Sequence, residues 1–493
     1  MRVVYNDSMR PATLRMLFLQ ICIFVSAFNN LHKIQAKSIV KPNILVIIAD
    51  DLGWSDLGCY GADLHETPIL DQFAHNSIRF TNAYSASPVC SPTRAALMTG
   101  LHPARLGITI WSEGARKPDN LQKLIPGESL DHLPLKYQTL AEKLSSIGYR
   151  TASIGKWHLG DTDQAPETQG FDINIGGTRW GAPATFFWPF KNDKRFGGEY
   201  RYIPGLTFGK TGDYLTDQLT NKALEVIDQA NDQPFFLYLA HYAPHTPIEA
   251  PELLTEKYRQ KIRPEYNHQN PTYAAMIENL DTNIGRIFEH LKKNSKFDQT
   301  MILFTSDNGG YLGDTKGRNK IVTTNNPLRS GKGSLYEGGI RVPLLMKLPF
   351  APKSGCIMNQ RVVTTDLHHT LLNIAGYQEK EPKDHHDGIN LLPMISSAEA
   401  EWPDRPLYFH YPHYYETTEP VSCIIHKNYK LLHYAEDQKT ELYDLIRDPY
   451  ETSNIVHAEL DLAMELKLRL QEWKHDVKAK EPRKNPDYQV KQK

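Results

Sequence analysis

The chain has 493 residues, 40% apolar and 23% charged, which is ordinary for a globular protein and enough for one large domain plus a smaller one. Its 56 basic and 57 acidic residues leave a net charge of −1, so no global basic field exists to hold nucleic acid. An anionic substrate must therefore be held by a local cluster of Lys, Arg and His.

At the N-terminus, Arg2, Arg10 and Arg15 precede an apolar run from Met16 to Phe28, with the small residues Ala27 and Ala36 at its end and beyond. The run falls short of the ~20 residues that span a bilayer. The pattern predicts a cleaved signal peptide over 1–36 and an exported, periplasmic or secreted protein that does not span a membrane. Asn6, inside that leader, is the only Asn-x-Ser/Thr acceptor, which points toward a bacterial source. Five cysteines lie scattered at 22, 59, 90, 356 and 423, and they do not form a disulfide framework.

Four apolar runs read as buried strands: Asn43–Ala49, Thr151–Ile154, Phe235–Ala240 and Met301–Thr305. Helical patterns fall between them. Thr67-Pro68 opens one to about Asn76, and Leu135–Ile147, Leu215–Gln229 and Tyr273–Lys292 are the others. Strands alternating with helices predict an α/β fold with a large central mixed sheet covered on both faces. Past Asn373 the texture changes. Gly, Pro and His cluster over Gly376–Pro393, and short strands are expected at Leu407–His410, Val421–His426 and Tyr429–Tyr434. A helix over Leu460–Lys478 and a frayed polar tail from Glu481 follow. The expected organisation is a main domain over 42–375 and a smaller antiparallel sheet with a packed helix over 376–493.

Each of the four buried strands runs straight into polar residues. The first ends in Asp50-Asp51 and the second leads to Lys156-Trp157-His158. The third leads to His241 and His245, the fourth to Asp307-Asn308. Ligand crevices in α/β sheets lie outside the carboxyl ends of strands, so the four clusters can converge. Asp50, Asp51, Asp307 and Asn308 form an oxygen-only set of the kind hard cations take, although either pair alone can equally cap a turn. Cys90-Ser91-Pro92-Thr93-Arg94 precedes Gly100, with Pro92 suited to the first helical position and Gly100 to the stop. Cys90 then sits at a helix N-terminus, open to two readings: a thiol of lowered pKa or a buried structural cysteine. Arg94, one turn in, can fork onto an oxyanion. Lys332 in its glycine-rich stretch is no phosphate loop, because Asn326 occupies a required glycine position. His368-His369 and His385-His386 lack metal spacing and are expected at a surface or junction. The aromatics near Trp180–Phe190 and Tyr408–Tyr415 fit either a sugar subsite or loop packing.

Cys90-x-Pro92-x-Arg94 followed by Leu97-Met98-Thr99-Gly100 resembles the signature of the formylglycine-dependent sulfatases (type I, cysteine type) of the alkaline-phosphatase-like superfamily. Asp50-Asp51, Ile154–Gly160, Pro244–Pro247, Ser306–Gly310 and Gly331–Ser334 follow the same family's motifs in order. The likeness is greatest to exported bacterial arylsulfatase-like carbohydrate sulfatases. It implies hydrolysis of sulfate esters on sulfated carbohydrates, through a formylglycine made from Cys90 and a covalent sulfo-enzyme intermediate. It implies one Ca²⁺ held by Asp50, Asp51, Asp307 and Asn308 beside residue 90, with Arg94 steadying that side. Lys156, His158, His245 and Lys332 would grip sulfate and move protons, and Asp307 would help deprotonate the attacking hydroxyl. His245, assisted by Lys332, would protonate the leaving alcohol and His158 would take the second proton. A formylglycine-generating or anaerobic sulfatase-maturing enzyme is the implied biosynthetic partner. Thr93 departs from the Ser more usual there and keeps the hydroxyl. Two other readings are a phosphate mono- or diester hydrolase of the same superfamily and a non-enzymatic module for sulfated glycans.

Overall fold

The computed structural model describes residues 41–114, 120–192, 196, 198–313, 321–350, 355–378, 387–397 and 400–489. The expected leader over 1–36 and the pair His385-His386 lie outside the described residues.

The strands, in chain order, are β1 Asn43–Ala49, β2 Ile78–Tyr84, β3 Leu124–Ile125, β4 Arg150–Gly155 and β5 Ile173–Ile175. They continue as β6 Phe235–Ala240, β7 Thr300–Ser306, β8 Arg341–Lys347, β9 Cys356–Met358 and β10 Val362–Val363. The last five are β11 Leu407–Tyr411, β12 Val421–His426, β13 Tyr429–Tyr434, β14 Thr440–Asp444 and β15 Arg483–Lys484. A nine-stranded mixed sheet runs β10-β2-β8-β7-β1-β6-β4-β5, with β9 added on β2. β1 is central and parallel to both β6 and β7. All seven of its residues are buried, and the parity of the strand divides them between two cores. Leu45, Ile47 and Ala49 face the helices Leu215–Gln229 and Pro271–Lys293. Ile44, Val46 and Ile48 face the helices Cys90–Thr99, Leu140–Ser146 and Thr364–Ile374. Each such aliphatic side chain contributes roughly 1.5–3 kcal/mol by leaving water.

Register decides what the sheet can do. Ala49 pairs with Ser306, Ile48 with Ala240, and Ala240 with Gly155. The carboxyl ends of β1, β4, β6 and β7 therefore end in one row, and the four polar clusters meet there, as expected from the sequence. A second, antiparallel sheet runs β11-β12-β13-β14. The helix Leu460–Asp476 packs on one face, where Tyr408 stacks on Trp473 with ring centroids 4.7 Å apart. The other face packs on Tyr84, Val89, Ala96 and Ile340 of the large-sheet region.

Four local expectations are corrected. The helix expected over Leu135–Ile147 begins only at Leu140. Thr139 accepts from the Glu142 amide at 3.1 Å and Glu142 returns a bond at 2.7 Å, a reciprocal cap that sets the start. Pro92 is not the first helical residue: the helix starts at Cys90, with Pro92 third, inside the turn whose amides need no intrahelical partner. The tail is not frayed over Arg483–Lys484, which pairs with Leu124–Ile125 while Asn485 Nδ2 donates to Gln122 O at 2.8 Å. His368 is fully buried, its Nδ1 3.0 Å from Leu97 O, rather than at a surface.

Candidate active site

β1 delivers Asp50 and Asp51, both fully buried, and the chain turns at Asp51 with φ +63°. The Asp51 amide donates to Asp307 Oδ1 at 3.2 Å, which ties the ends of β1 and β7 together. Asn308 Nδ2 donates to Asp51 Oδ1 at 2.8 Å. Its Oδ1 is buried and accepts no hydrogen bond.

Helix Cys90–Thr99 is stopped by Gly100, whose φ of +72° suits glycine. Thr93 Oγ1 accepts from the Ser87 amide at 3.1 Å, so its hydroxyl fixes the approach to Cys90. Cys90 Sγ lies 4.0 Å from Asp51 Oδ1. The thiol does not have a lowered pKa: burial pushes it up to about 12, against the pull of Lys156 and Lys332. An unmodified Cys90 is thus a protonated thiol at neutral pH, with 2% of its surface exposed. Arg94 does not wait for an oxyanion. Its Nε and one terminal nitrogen fork onto Asp307 Oδ2 at 2.9 and 2.7 Å, and the other nitrogen donates to Lys156 O at 2.8 Å. Burial raises the Asp307 pKa, yet Arg94, with Lys156 and Lys332, holds the carboxyl well below the usual range. That makes it a ready ligand and a weak base.

Two lysines face the adjacent carboxylates. Lys156 Nζ sits 2.9 Å from both oxygens of Asp50, and Lys332 Nζ sits 2.7 Å from Asp51. Lys332 also donates to His245 Nε2 at 3.2 Å, while His245 Nδ1 donates to Thr246 O at 2.8 Å. Burial lowers His245 to about 3, so the ring is neutral. Burial likewise lowers His158 to about 4, opposed by Glu113, whose Oε2 lies 3.1 Å from His158 Nε2. With its proton on Nε2, His158 has a free lone pair on Nδ1, which is buried and without a partner. A side chain at Gly181 would strike the His158 ring at 2.3 Å. The His158 amide donates to Thr178 O at 2.9 Å, placing the Thr178–Trp180 segment along this wall. His241 is brought to the same row but joins nothing: both ring nitrogens lack partners.

The atoms of Asp50, Asp51, Cys90 and His245 that could hold a metal lie within 4.8 Å of one another. With Asp307 and Asn308 they present carboxylate and amide oxygens, and the buried Asn308 Oδ1 is a spare acceptor. This donor set fits a hard divalent cation.

The sequence reading missed Glu113, and it left Tyr415 open between a sugar subsite and loop packing. Glu113 sits in a single 3-10 turn, Ser112–Gly114, too short to leave a periodic signal. Tyr415 lies flat against Gly333, where a Cβ would meet its ring at 2.0 Å and φ is +85°. It also meets Trp111 edge-on at 5.7 Å. Beside it opens a cavity of about 550 Å³ lined by Trp111, Gln122, Glu128, His413 and Tyr414.

A family sequence model described as Sulfatase matches residues 42–377. A second, N-sulphoglucosamine sulphohydrolase, C-terminal, matches 331–476. The chain is 31% identical over 501 residues to a protein of Formosa agariphila named Sulfatase, covering 88% of each. It is 36% identical over 387 residues to human N-acetylgalactosamine-6-sulfatase, covering 75% of this chain and 68% of that one. The solved structure of Ps i-CgsB in complex with k-i-k-neocarrahexaose superposes with a TM-score of 0.74 at 30% identity, covering 89% of this chain and 93% of that one. The phosphonate monoester hydrolase of Agrobacterium radiobacter, at 19% identity and a TM-score of 0.62 over 88% of this chain and 96% of that one, shares the fold.

Proposed function

Because this chain belongs to the sulfatase family and is a sulfuric ester hydrolase, we propose that it removes sulfate from a sulfated oligosaccharide at the site centred on residue 90. The single observation that carries the reading is the convergence of Asp50, Asp51, Asp307 and Asn308 with Arg94, Lys156, Lys332, His158 and His245 around Cys90. A relative is named for N-acetylgalactosamine and a neighbour binds a neocarrahexaose, which supports a carbohydrate substrate. The cavity beside Tyr415 offers aromatic faces for sugar rings.

Asp50, Asp51, Asp307 and Asn308 would hold one Ca²⁺, and residue 90 would be matured to formylglycine by a formylglycine-generating or anaerobic maturing enzyme. When present, the cation would draw charge from the ester oxygens and the aldehyde hydrate would supply the nucleophilic hydroxyl. The protein's own groups do the rest. The positive charges of Arg94, Lys156 and Lys332 offset the anion as a nucleophile approaches it. Lys332, donating to His245 Nε2, is the nearest store of a proton for the leaving alcohol, and His245 is the neutral relay between them. His158 Nδ1, left basic by the Glu113 bond on its other nitrogen, accepts the later proton. Asp307, held ionised by Arg94, serves the cation more than proton transfer.

Among the described residues no helix is long and apolar enough to cross a membrane. With bacterial relatives and the basic-then-apolar leader, this supports export to the periplasm or beyond.

Peptide mass spectrometry across residue 90, paired with sulfate release from N-acetylgalactosamine 6-sulfate and sulfated galactan oligosaccharides with and without chelator, tests the reading. A formylglycine mass with chelator-sensitive release is expected. Converted protein that cleaves a phosphodiester faster than every sulfate ester would overturn it in favour of phosphate chemistry.

A further inference from the structure

Behind the loop that carries Asp51 lies a second buried group of metal-competent side chains, Asp56, His65 and His268, with one ligand atom of each within 4.8 Å of the others. We propose that these three residues form a structural site for a zinc-class divalent cation, separate from the oxygen-rich site at Asp50 and Asp51.

The distances carry the case. Asp56 Oδ1 is 3.3 Å from His268 Nε2 and 3.6 Å from His65 Nδ1. Carboxylate–imidazole hydrogen bonds elsewhere in this protein run from 2.7 Å at His290–Asp228 and His268–Asp63 to 3.1 Å at His158–Glu113. A tetrahedral centre with bonds of about 2.0–2.1 Å separates its ligands by roughly 3.3–3.4 Å. The two separations from Asp56 Oδ1 are thus close to those between ligands of one ion. His268 Nε2 is buried and makes no hydrogen bond, in a residue only 3% exposed.

The surroundings are those of a metal site. His268 Nδ1 donates to Asp63 Oδ1 at 2.7 Å, which fixes the ring and leaves Nε2 as the ligand atom. Asp63 is held in turn by Asn267 Nδ2 at 3.0 Å. Asp56 is oriented on its far oxygen by the Gly53 amide at 2.7 Å and Tyr273 OH at 2.8 Å. Thr323 Oγ1 takes one lone pair of Oδ1 at 2.7 Å and leaves the other. The Asp56 carbonyl oxygen, 3.0 Å from His65 Nδ1, or a water can complete four-coordination. Binding would displace the protons on the two coordinating nitrogens. Two imidazoles and one carboxylate select a borderline ion such as Zn²⁺ over Ca²⁺, which prefers oxygen throughout. A metal-free chain Asp56–His268–Asp63 accounts for the cluster less well, because it calls for short bonds at both His268 nitrogens and only the Nδ1 bond is short, while His65 Nδ1 meets the Asp56 carbonyl oxygen in either case.

The site has a purpose in the fold. Tyr273 OH reaches both Asp56 Oδ2 and the main-chain oxygen of Asp51, the latter at 3.2 Å. An ion at Asp56 would brace the turn that presents Asp51.

The experiment is zinc loading of the full-length protein, with metal counting by mass spectrometry and crystallographic anomalous scattering at the zinc edge. One zinc per chain is expected, with the anomalous peak bonded to His65, His268 and Asp56. His65→Ala and His268→Ala should each lose that equivalent while calcium content stays as in the parent. Should either variant fail to fold, titration of the unaltered protein with Co²⁺ should give the intense visible absorption of a tetrahedral site, abolished by prior zinc. A zinc-loaded crystal with no peak at these three residues, or a zinc count unaltered in a folded His65→Ala, overturns the proposal.

Discussion

Among the described residues, two of the clusters of buried charge are built to different ends. At the strand ends, Asp50, Asp51 and Asp307 face Lys156, Lys332 and Arg94. Between the two sheets, Lys430 is fully buried, with Nζ 2.9 Å from Glu337 and 2.9 Å from Glu451. Tyr84 OH donates to Glu337 at 3.0 Å, and the Glu337 amide donates to Glu451 at 2.7 Å. There every carboxylate oxygen lies in an ion pair or a hydrogen bond, Glu451 Oε1 through its ion pair with Lys430 alone, so the cluster is closed. The first cluster is open: Asn308 Oδ1 and His158 Nδ1 are buried without partners, and the His245 side chain keeps 13% of its surface exposed. Burial and charge are common to both. Polar atoms left with neither an ion pair nor a hydrogen bond are what separates the first cluster from the second.

The sharpest way to test that contrast is to take the proposed nucleophile from the open cluster. Cys90→Ala should cut sulfate release by about 10³- to 10⁶-fold while near-UV circular dichroism is unchanged. The opposite result is expected from the closed cluster. Lys430→Met strands two buried carboxylates and should cost about 3–5 kcal/mol in urea unfolding, with turnover per folded molecule retained.

Next in size is the pH response of the open cluster. His158, His241 and His245 are held by burial at about 4, 3 and 3, below an ordinary histidine. The unfolded chain therefore binds more protons once pH falls below about 6.5. Stability is fully present above that value and falls toward pH 4, each histidine contributing up to about 1.4 kcal/mol per pH unit. Unfolding free energies between pH 5 and 7 should show the slope, and His241→Leu should flatten it by one proton with activity intact.

The smallest effect concerns how His158 is held. Glu113→Gln keeps a hydrogen-bonding group beside Nε2 and removes the charge. It should lower kcat about tenfold, less than the 10²–10⁴ worth of a general acid or base itself. It should also move the acid limb of the kcat profile downward, because Glu113 favours the protonated ring.

Much of the open cluster was legible beforehand, and the reason is physical. A parallel strand buried on both faces must be an apolar run, so β1, β4, β6 and β7 announced themselves, and their polar ends marked the crevice. β8 did not, because Pro343 interrupts it and proline argues against an interior strand. It is accommodated here as Thr305 Oγ1 donates to Pro343 O at 2.8 Å. Glu113 was illegible for a different reason: its partner is 45 residues away, and nothing in its own neighbourhood records that pairing. The thiol of Cys90 stayed open between two readings because burial, which outweighs the nearby cations, is not carried by local sequence.

The seam between Leu124–Ile125 and Arg483–Lys484 also sets a timetable. Asn485 and the Gln122 oxygen it holds are 363 positions apart. A ribosome adding about 5–20 residues per second needs roughly 20–70 s to cover that stretch. Through that interval the wall carrying Gln122 and Ile125 waits for the strand that pins it, and the cavity beside Tyr415 is unfinished. An enzyme of the kind proposed to mature residue 90 would have to work inside the same window, since the completed fold leaves only 2% of Cys90 exposed.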